Sequence, residues 1–537
     1  MKPGSYEAQS PVLSAAGKLI GLLLFVAILV LPQPAGLPPE AQRLAAVTAL
    51  MAALWLSQAI PIAATSLIPL VAFPLLGIQS AAVVSKSYIN ENIFLFLGGF
   101  IIALGIEKWG LHRRMALHIV RLLGTSLKRV VLGFMLATAF LSMWISNTAS
   151  TLLMLPIGLA MIGSLRELSS DEKTAEESMS RFSVVLMLGI AYSASIGGLT
   201  TLVGTPTNVA FVGIWKQEFP QAPELSAGQW MTAVFPLGLL FLLCAWGILV
   251  RKLPSIPGAE TIERSFFTKK IRALGPPTRA EKLMLAVFFT TAVLWVFRKP
   301  LEFGSVTFPI NWGSWVERFL LWMEVEPQLA AGAVHDSTVA MGMALLMFFI
   351  PAAKDDKNRT QYLMDWKTAE RLPWGILLLI GGGFALANAF SATGLSEWIG
   401  LMFAEGVEGW PIWLLVAAVC FLLTFMTELT SNVATISALL PILAQVAVKL
   451  EIDPRLVMIP AAISTSCAFM LPIATPPNAI VFGSGKIQMG QMVRYGIALN
   501  LLGVLLITLA TFVLFVPQFD ISLDALPEWA EAATISK

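Results

Sequence analysis

The stretch "MWISNTASTLLMLP", residues 143–156, places a run of small polar residues inside an apolar block that extends from 130 to 164. Hydroxyl and amide groups are costly at membrane depth unless they are hydrogen-bonded or bind something. A second apolar block, 410–448, repeats the pattern with "TELTSNVATISALLP" at 427–441. The organisation of the chain follows from these two polar runs.

The composition is that of a membrane protein. Of 537 residues, 57% are hydrophobic and 13% are charged, whereas a soluble domain has about a quarter charged residues. A net charge of +2 gives no reason to expect a nucleic-acid partner. The three cysteines lack the spacing of a metal site or a disulfide framework. We also find no HExxH motif and no nucleophile–base pair within the spans, so we do not expect an enzyme.

The apolar segments predict an all-α polytopic membrane protein with about 11 transmembrane helices and two re-entrant hairpins. A crossing helix needs about 20 apolar residues, and each long block is interrupted midway by its polar run. Two full spans joined there would put the polar turn at a membrane surface, whereas a hairpin puts it near the midplane. Irregular backbone at that depth is tolerated only where it lines a cavity or is buried in protein.

The charges predict the orientation. With a cytoplasmic N-terminus and both hairpins returning to their own side, most of the 35 Lys and Arg residues fall in cytoplasmic loops, as the positive-inside rule expects. The acidic tail then lies on the extracytoplasmic side. Short loops and the absence of organelle targeting favour a bacterial inner membrane.

Four motifs recur in the same order in both halves of the chain. They are "FLGGF" at 96–100 and "IGGGF" at 380–384, Gly110-Leu111 and Gly394-Leu395, "SNTAST" at 146–151 and "SNVATI" at 431–436, and "GTPTNVAFVG" at 204–213 and "ATPPNAIVFG" at 474–483. The first hairpin enters from inside and the second from outside, so the repeats are inverted. Inverted repeats with discontinuous helices are typical of secondary transporters, with substrate at the repeat interface.

These boundaries divide the chain into five parts. They are an N-terminal segment with the first transmembrane helix (1–42), a first inverted repeat (43–250), a cytoplasmic loop (251–281), a second inverted repeat (282–517) and an extracytoplasmic tail (518–537). The first repeat contains scaffold helices 43–129, the re-entrant hairpin 130–164, a broken helix 182–214 and a helix 229–250. The second contains scaffold helices 282–392, the re-entrant hairpin 410–448, a broken helix 456–484 and a last helix 493–517. The region 298–336 has no functional assignment.

The polar runs have the chemistry of a cation site beside an anion site. Asn147 and Asn432 precede short helices, whose N-terminal N–H groups and dipole attract anions. Serine and threonine oxygens nearby suit a small cation such as Na⁺. The prolines of "GTPTN" and "ATPPN" break their helices and expose the carbonyls near Gly204 and Ala474. Small residues often serve helix packing alone, but four motifs paired by a repeat favour a binding site.

Charge gives a reason for coupling. The hairpins contain no Lys or Arg between 130 and 164 or between 410 and 448, and an uncompensated buried dianion is prohibitively costly. Cations bound beside it solve this problem. Glu428 is the one clear ionisable residue there. It can organise the second cation site, carry a proton, or stabilise the hairpin through hydrogen bonds, and the sequence leaves these open.

At these motifs the chain resembles the divalent anion/sodium symporter family, which includes dicarboxylate, citrate and sulfate cotransporters. The resemblance covers nearly the whole chain, from "LSQAIPIAATSLIPL" at 56–70 to the last span. It implies a homodimer in which each protomer has a scaffold and a transport domain that slides as an elevator. It also implies about two or more co-transported Na⁺ ions.

The resemblance assigns roles to particular residues. The first Na⁺ site has Ser142, Ser146, Asn147 and the turn around Gly204; the second has Thr427, Thr430, Asn432 and Ala474. The substrate carboxylates meet Asn147, Thr148, Asn432, Val433, Thr475 and Pro476, and we add the Thr205 hydroxyl from its place in "GTPTN". Val433 stands where the first repeat has Thr148, so the anion pocket is expected to be asymmetric.

The leading functional hypothesis is sodium-coupled symport of di- or tricarboxylates, of the succinate, malate, fumarate or citrate class. An alternative is a sodium-independent exchanger of the same fold, but the oxygens expected to bind Na⁺ are intact and no cationic residue replaces them. Sodium/sulfate symport and proton coupling through Glu428 are further alternatives.

Overall fold

The computed structural model describes residues 11–123, 126–166, 173–253, 259–303, 306–355, 357–523 and 525–535. Over these ranges the chain is mostly helical. The helices of the first half are α1 (Pro11–Val30), α2 (Pro39–Ser57), α3 (Ile62–Thr65), α4 (Ile68–Leu75), α5 (Ala81–Ser87), α6 (Glu91–Lys108), α7 (Leu111–Leu123), α8 (Leu127–Ser142), α9 (Asn147–Arg166), α10 (Lys173–Leu199), α11 (Pro206–Glu218), α12 (Ala227–Val250) and α13 (Ala259–Ala273).

The second half begins with α14 (Arg279–Val296) and continues in the same style. Its other helices are α15 (Gly313–Trp322), α16 (Pro327–Gly332), α17 (Asp336–Phe349), α18 (Trp366–Ala369), α19 (Trp374–Ala392), α20 (Leu395–Val407), α21 (Ile412–Met426), α22 (Asn432–Lys449), α23 (Arg455–Ser464), α24 (Pro476–Phe482), α25 (Met489–Ala510), α26 (Val516–Gln518) and α27 (Glu528–Ile535). A π-helical turn, Thr511–Phe515, joins α25 to α26.

Two short antiparallel hairpins occur in the connections between helices. β1 (Leu301–Phe303) pairs with β2 (Val306–Phe308), and β3 (Pro351–Lys354) pairs with β4 (Thr360–Tyr362). The sequence analysis, which expected only helices, did not predict them. Strand pairing provides hydrogen-bond partners for backbone N–H and C=O groups in stretches that are too short or too polar to form a spanning helix. In the region without an assigned function, the first hairpin is followed by α15 and α16.

Among the described residues, seven helical segments are long and apolar enough to cross a bilayer. The segment within α10, Glu177–Leu199, is wholly buried in the protein, whereas less than half of Met489–Gln518 is buried. Shorter apolar helices, including α17 and α21, add to these. The segment within α10 is therefore enclosed by other helices, while helices such as α25 present apolar side chains outward. This arrangement is typical of a membrane protein.

The repeat detected in the sequence recurs as local structure. Gly110 lies between α6 and α7 with φ +70°, and Gly394 lies between α19 and α20 with φ +74°. Glycine adopts this left-handed conformation without steric cost. After each glycine the order of elements is the same. A short helix is followed by two helices separated by a break, then by a second pair of helices separated by an unwound segment, and then by a long helix.

We divide the helices into two groups by their place in the repeats. The hairpin group consists of α8–α12 and α21–α25, in which α8 packs on α10, α9 on α24, and α11 on α22. The flanking group consists of α1–α6, α14 and α17–α19, and its α19 packs closely on α11 and α22 of the hairpin group. A Cβ on Gly197 would lie 2.3 Å from the Ala139 carbonyl oxygen, so α8 and α10 are in direct backbone contact, as small residues permit.

A cluster of ion pairs, which we call the Arg298 cluster, joins the two groups at one end. Arg298 lies 2.6 Å from both Asp336 and Glu224, and Lys299 lies 2.7 Å from Glu224. Asp336 also accepts the backbone N–H of Ala227 at 2.8 Å. Burial raises the pKa of Glu224, but its attraction to and hydrogen bonds from Arg298 and Lys299 outweigh burial and lower that pKa to about 2. Glu224 is therefore charged at neutral pH.

Candidate functional site

Each polar run opens a break between two helices. α8 ends at Ser142 and α9 begins at Asn147, which leaves the first break at 143–146. α21 ends at Met426 and α22 begins at Asn432, which leaves the second break at 427–431. Capping residues end a helix because their side chains compete for backbone hydrogen bonds. The breaks therefore lie where the sequence predicted an interruption.

In the first break, the Asn147 amide is surrounded by oxygens. It lies 2.6 Å from Ser142 Oγ, 3.3 Å from the Gly204 carbonyl oxygen and 3.2 Å from that of Ala194. The amide nitrogen has two protons to share among these three oxygens. With the amide oxygen there instead, the Ser142 hydroxyl donates to it and the carbonyl oxygens of Gly204 and Ala194 receive no proton from the amide, an arrangement that a bound cation stabilises. The predicted residues Ser142, Asn147 and Gly204 are thus brought together.

Two glycines let the backbone close around this amide. A Cβ on Gly198 would lie 2.5 Å from the Asn147 amide, and one on Gly204 would lie 2.6 Å from the Gly198 carbonyl oxygen and 3.0 Å from that of Ser142. A methyl group at Gly204 would overlap the Gly198 backbone, and one at Gly198 would displace the Asn147 side chain. The sequence prediction assigned Gly204 and gave no role to Gly198, whose backbone lies against both Gly204 and the Asn147 amide.

The second break repeats this arrangement. Thr427 Oγ1 lies 2.5 Å from Asn432 Oδ1 and 2.8 Å from the Thr465 carbonyl oxygen. A hydroxyl has one proton and cannot donate to both acceptors, so this cluster also has more oxygens than donors. Thr427 and Asn432 meet as predicted. Thr465, at the end of α23, was not predicted because a backbone carbonyl has no residue signature.

Two asparagines hold the broken helices in shape. Asn208 donates to the carbonyls of Leu199 and Thr201 at 3.0 and 2.7 Å, and more distantly to that of Gly198 at 3.3 Å. Asn478 donates to the carbonyls of Ala468 and Leu471 at 3.1 Å each. Both asparagines are fully buried. The sequence analysis quoted them within "GTPTN" and "ATPPN" without giving them a role; their recurrence in both motifs was the available signal.

Glu428 is bound by four hydrogen-bond donors. Its carboxylate accepts the backbone N–H groups of Phe469, Met470 and Leu471 at 2.7, 2.8 and 3.0 Å, and the Asn500 amide at 2.8 Å. The second break is thereby tied to the unwound segment between α23 and α24 and to α25. Of the three roles left open by the sequence, these contacts favour the hydrogen-bonded anchor.

Three predicted side chains bond within their own turns. Ser146 Oγ accepts the N–H of Ala149 at 3.2 Å, and the Thr430 hydroxyl donates to the Met426 carbonyl at 3.0 Å and contacts the Thr435 hydroxyl. The Thr205 and Thr207 hydroxyls lie 3.3 Å apart. None of these bonds joins the Asn147 or Asn432 clusters.

The other predicted residues lie at helix starts. Thr148 and Val433 are in the first turns of α9 and α22, and Ala474 precedes α24. Thr475 caps α24 by accepting the N–H of Asn478 at 3.4 Å, and Pro476 is the first residue of that helix. Because α9 packs on α24 and α22 on α11, each hairpin contacts the broken helix of the other repeat.

A cavity of about 830 Å³ lies away from the breaks, between α20, the end of α22 and the C-terminal segment. Its lining includes Glu397, Glu451, Glu531 and Lys449. The three carboxylates outnumber the single lysine, so the charge of this cavity does not match the predicted anionic substrate.

Comparison with known proteins places the chain in a family. Residues 14–517 match the family described as the sodium:sulfate symporter transmembrane region. The chain belongs to this family. Family membership and the apolar helices together make it an integral, multi-pass membrane protein.

Two relatives in this family carry the same name. The sodium-dependent dicarboxylate transporter SdcS of Staphylococcus saprophyticus is 41% identical over 513 residues, which are 94% of this chain and 92% of that protein. The SdcS of Staphylococcus aureus strain RF122 is 40% identical over 509 residues, 93% and 91% of the two chains. Among solved structures, MtrF of Neisseria gonorrhoeae aligns with a TM-score of 0.51 at 12% identity over 96% of this chain and 97% of its own, a likeness of fold alone.

Proposed function

We propose that this protein is a secondary active transporter that carries a di- or tricarboxylate across the membrane together with about two or more Na⁺ ions. The observation that carries the proposal is the pair of equivalent oxygen-rich clusters, around Asn147 and around Asn432, each at the start of a helix. The name shared by the two staphylococcal relatives supports Na⁺ and a dicarboxylate as the transported species.

Each cluster has the ligands that a sodium ion takes. Hydroxyl, amide and carbonyl oxygens at unwound backbone coordinate Na⁺ in transporters of this kind. The first site uses Ser142, Asn147 and the Gly204 turn, with Ser146 beside them. The second uses Thr427 and Asn432, with Thr430 and Ala474 beside them. We add the carbonyls of Gly198 and Thr465, which lie in the same clusters.

The anion site lies between the two cation sites. Backbone N–H groups at the starts of α9 and α22 attract carboxylates, and the substrate contacts are Asn147, Thr148, Asn432, Val433, Thr475, Pro476 and Thr205. No Lys or Arg in either hairpin block offsets the charge of the anion. Bound Na⁺ supplies that charge, so anion binding depends on Na⁺ and the two move together.

The placement of both clusters in one set of helices supports an elevator mechanism. The hairpin group contains both clusters, so its displacement against the flanking group moves cations and anion as one unit. In this proposal 130–164 and 410–448 are re-entrant hairpins of inverted repeats, within the domain boundaries given above. The protein is a homodimer in a bacterial inner membrane, with a cytoplasmic N-terminus and an extracytoplasmic C-terminus.

Uptake into proteoliposomes tests the proposal. Purified protein is reconstituted, and labelled succinate uptake is measured with an inward Na⁺ gradient or with K⁺ in its place. A parallel set is preloaded with unlabelled dicarboxylate. Concentrative uptake that requires Na⁺ is expected. Uptake that ignores Na⁺ and requires internal dicarboxylate would instead identify an exchanger.

Competing anions define the substrate class. Unlabelled malate, fumarate, citrate and sulfate are added outside at equal concentration. Strong inhibition by malate and fumarate is expected, with weaker inhibition by sulfate. If succinate is not taken up and labelled sulfate is, the protein is a sodium/sulfate symporter of the same architecture.

A further inference from the structure

The two breaks differ at one equivalent position. Glu428 follows Thr427 in the second break, and Met143 follows Ser142 in the first. In the first break the Met143 carbonyl accepts the Thr201 hydroxyl at 2.5 Å. In the second, the Glu428 side chain accepts the backbone N–H of Leu471 at 3.0 Å. The same junction is therefore neutral in one repeat and carries a carboxyl group in the other.

The surroundings of Glu428 match its ionised form. Four N–H groups point at the two carboxylate oxygens, and an ionised carboxylate accepts hydrogen bonds only. A carboxyl proton would need an acceptor, and all four contacts are donors. Glu428 is 3% exposed, and within the described residues no ion pair neutralises it.

We infer that Glu428 is a fixed negative charge that makes the second cation site bind Na⁺ more tightly than the first. The inference rests on the proposed function, because it takes both clusters as Na⁺ sites. Glu428 is the residue after Thr427, and its carboxylate binds the backbone at 469–471, a few residues after Thr465. Its charge is therefore held between the two segments that form the second cluster. The attraction between opposite charges is much stronger in a buried site than in water. The first cluster has only neutral oxygens.

This makes Glu428 a positioning residue with an electrostatic effect. It shapes the unwound segment through three backbone N–H groups and adds charge without touching the ion. Na⁺ then occupies the second site at concentrations that leave the first site empty. The first site fills afterwards, so the two cations bind in a fixed order.

Variants that each retain one site test the inference. Ser142→Ala weakens the first site and Thr427→Ala the second. The midpoint of thermal unfolding of the purified protein is followed as Na⁺ replaces K⁺ without any anion. The Na⁺ concentration for half of the stabilisation is expected to be about 10-fold lower, or more, in S142A than in T427A.

Two further variants separate charge from shape. Adding Glu428→Gln to S142A removes the charge and is expected to raise the half-stabilising Na⁺ concentration by about 10-fold. Adding Asn500→Ala instead removes one of the four hydrogen bonds to Glu428, together with the longer contact from the Phe469 N–H at 3.3 Å, and keeps the charge, so a much smaller increase is expected. Equal increases in the two variants would overturn the electrostatic inference.

Equal half-stabilising concentrations in S142A and T427A would also overturn it. This comparison leaves Glu428 intact, so it remains decisive if the glutamine variant does not fold. A different result separates the two proposals: if Na⁺ does not stabilise the unsubstituted protein over K⁺, the proposed sodium coupling fails as well.

Discussion

In the first break the Thr201 hydroxyl joins hairpin to broken helix, donating to the Met143 carbonyl and accepting the N–H of Gly204 at 3.0 Å. In the second, the Glu428 carboxylate makes the equivalent junction to 469–471. The two repeats are therefore joined at the same place. In the first repeat the joining side chain comes from the broken helix, and in the second it comes from the break. The difference teaches that two equivalent sites built from one pattern need not be equal, since only one of the two junctions is made by a carboxyl group.

The largest effect is expected from the shared asparagines. Asn147→Ala and Asn432→Ala each remove the side chain at the centre of a cluster. Losing the contacts of that side chain should raise the barrier to transport by about 3 kcal/mol, so Na⁺-dependent succinate uptake should fall by about 100-fold or more in either variant. Asn311→Ala, in the connection before α15, is the matched control and should retain uptake. If one of the two site variants transports normally, the breaks do not act as a pair.

The next effect concerns the asparagines that hold the broken helices. Each lost hydrogen bond costs about 1 kcal/mol and each amide has two N–H protons, so Asn208→Leu and Asn478→Leu should each lower the free energy of unfolding by about 2 kcal/mol. The third contact of Asn208, at 3.3 Å to the Gly198 carbonyl, shares a proton with the two shorter ones. Denaturant unfolding in detergent, without Na⁺ or anion, measures both. A much smaller loss in one variant would show that the broken helix of that repeat does not depend on its asparagine.

The two repeats also differ at Gly198, where the second repeat has Ala468. Gly198→Ala pushes a methyl group against the Asn147 amide and should raise the Na⁺ concentration for half-maximal uptake by about 10-fold, equivalent to about 1.4 kcal/mol. Ala468, which the Asn478 contacts make equivalent to Gly198, provides the control. Ala468→Gly should leave the Na⁺ dependence nearly unchanged. A normal Na⁺ dependence in G198A would show that displacing the Asn147 amide does not affect the first site.

The smallest effect is expected in the anion pocket. Val433→Thr restores the hydroxyl that Thr148 provides in the first repeat, at the cost of placing it at a buried position. One added polar contact is worth about 1 kcal/mol, so the ratio of citrate to succinate inhibition should change by about fivefold. Competition of unlabelled citrate against labelled succinate measures it. An unchanged ratio would remove Val433 from the substrate contacts.

The breaks themselves were predictable from sequence. Small polar residues and prolines disfavour a continuous helix for reasons of local hydrogen bonding and sterics, and these reasons do not depend on the rest of the fold. Asn147 and Asn432 follow from the same local pattern repeated in both halves, whereas their partners Ser142 and Thr427 were assigned through the family resemblance. Gly110 and Gly394 served as markers of the repeat, and the turns that they form were not predicted.

What was missed depends on tertiary contact. The carbonyls of Gly198 and Thr465 belong to the clusters through backbone position, and a backbone carbonyl is the same in every residue. The role of Glu428 could not be chosen because its donors lie on a segment about 40 residues away, at 469–471. The two β-hairpins are too short and too polar to give a clear strand pattern.

The Arg298 cluster has a consequence for experiments in which the concentration of Na⁺ is varied. The side chains of Arg298 and Asp336 are each 3% exposed, whereas those of Lys216 and Glu91, an ion pair that also joins the two helix groups, are 59% and 38% exposed. Dissolved ions screen exposed charges strongly and buried ones much less. Raising ionic strength therefore loosens the Lys216–Glu91 contact and leaves the Arg298–Asp336 pair, which lies within the flanking group, in place. Asp336 thus stays in position to accept the buried N–H of Ala227 at the start of α12, so this link between the two groups persists when the Na⁺ concentration is varied.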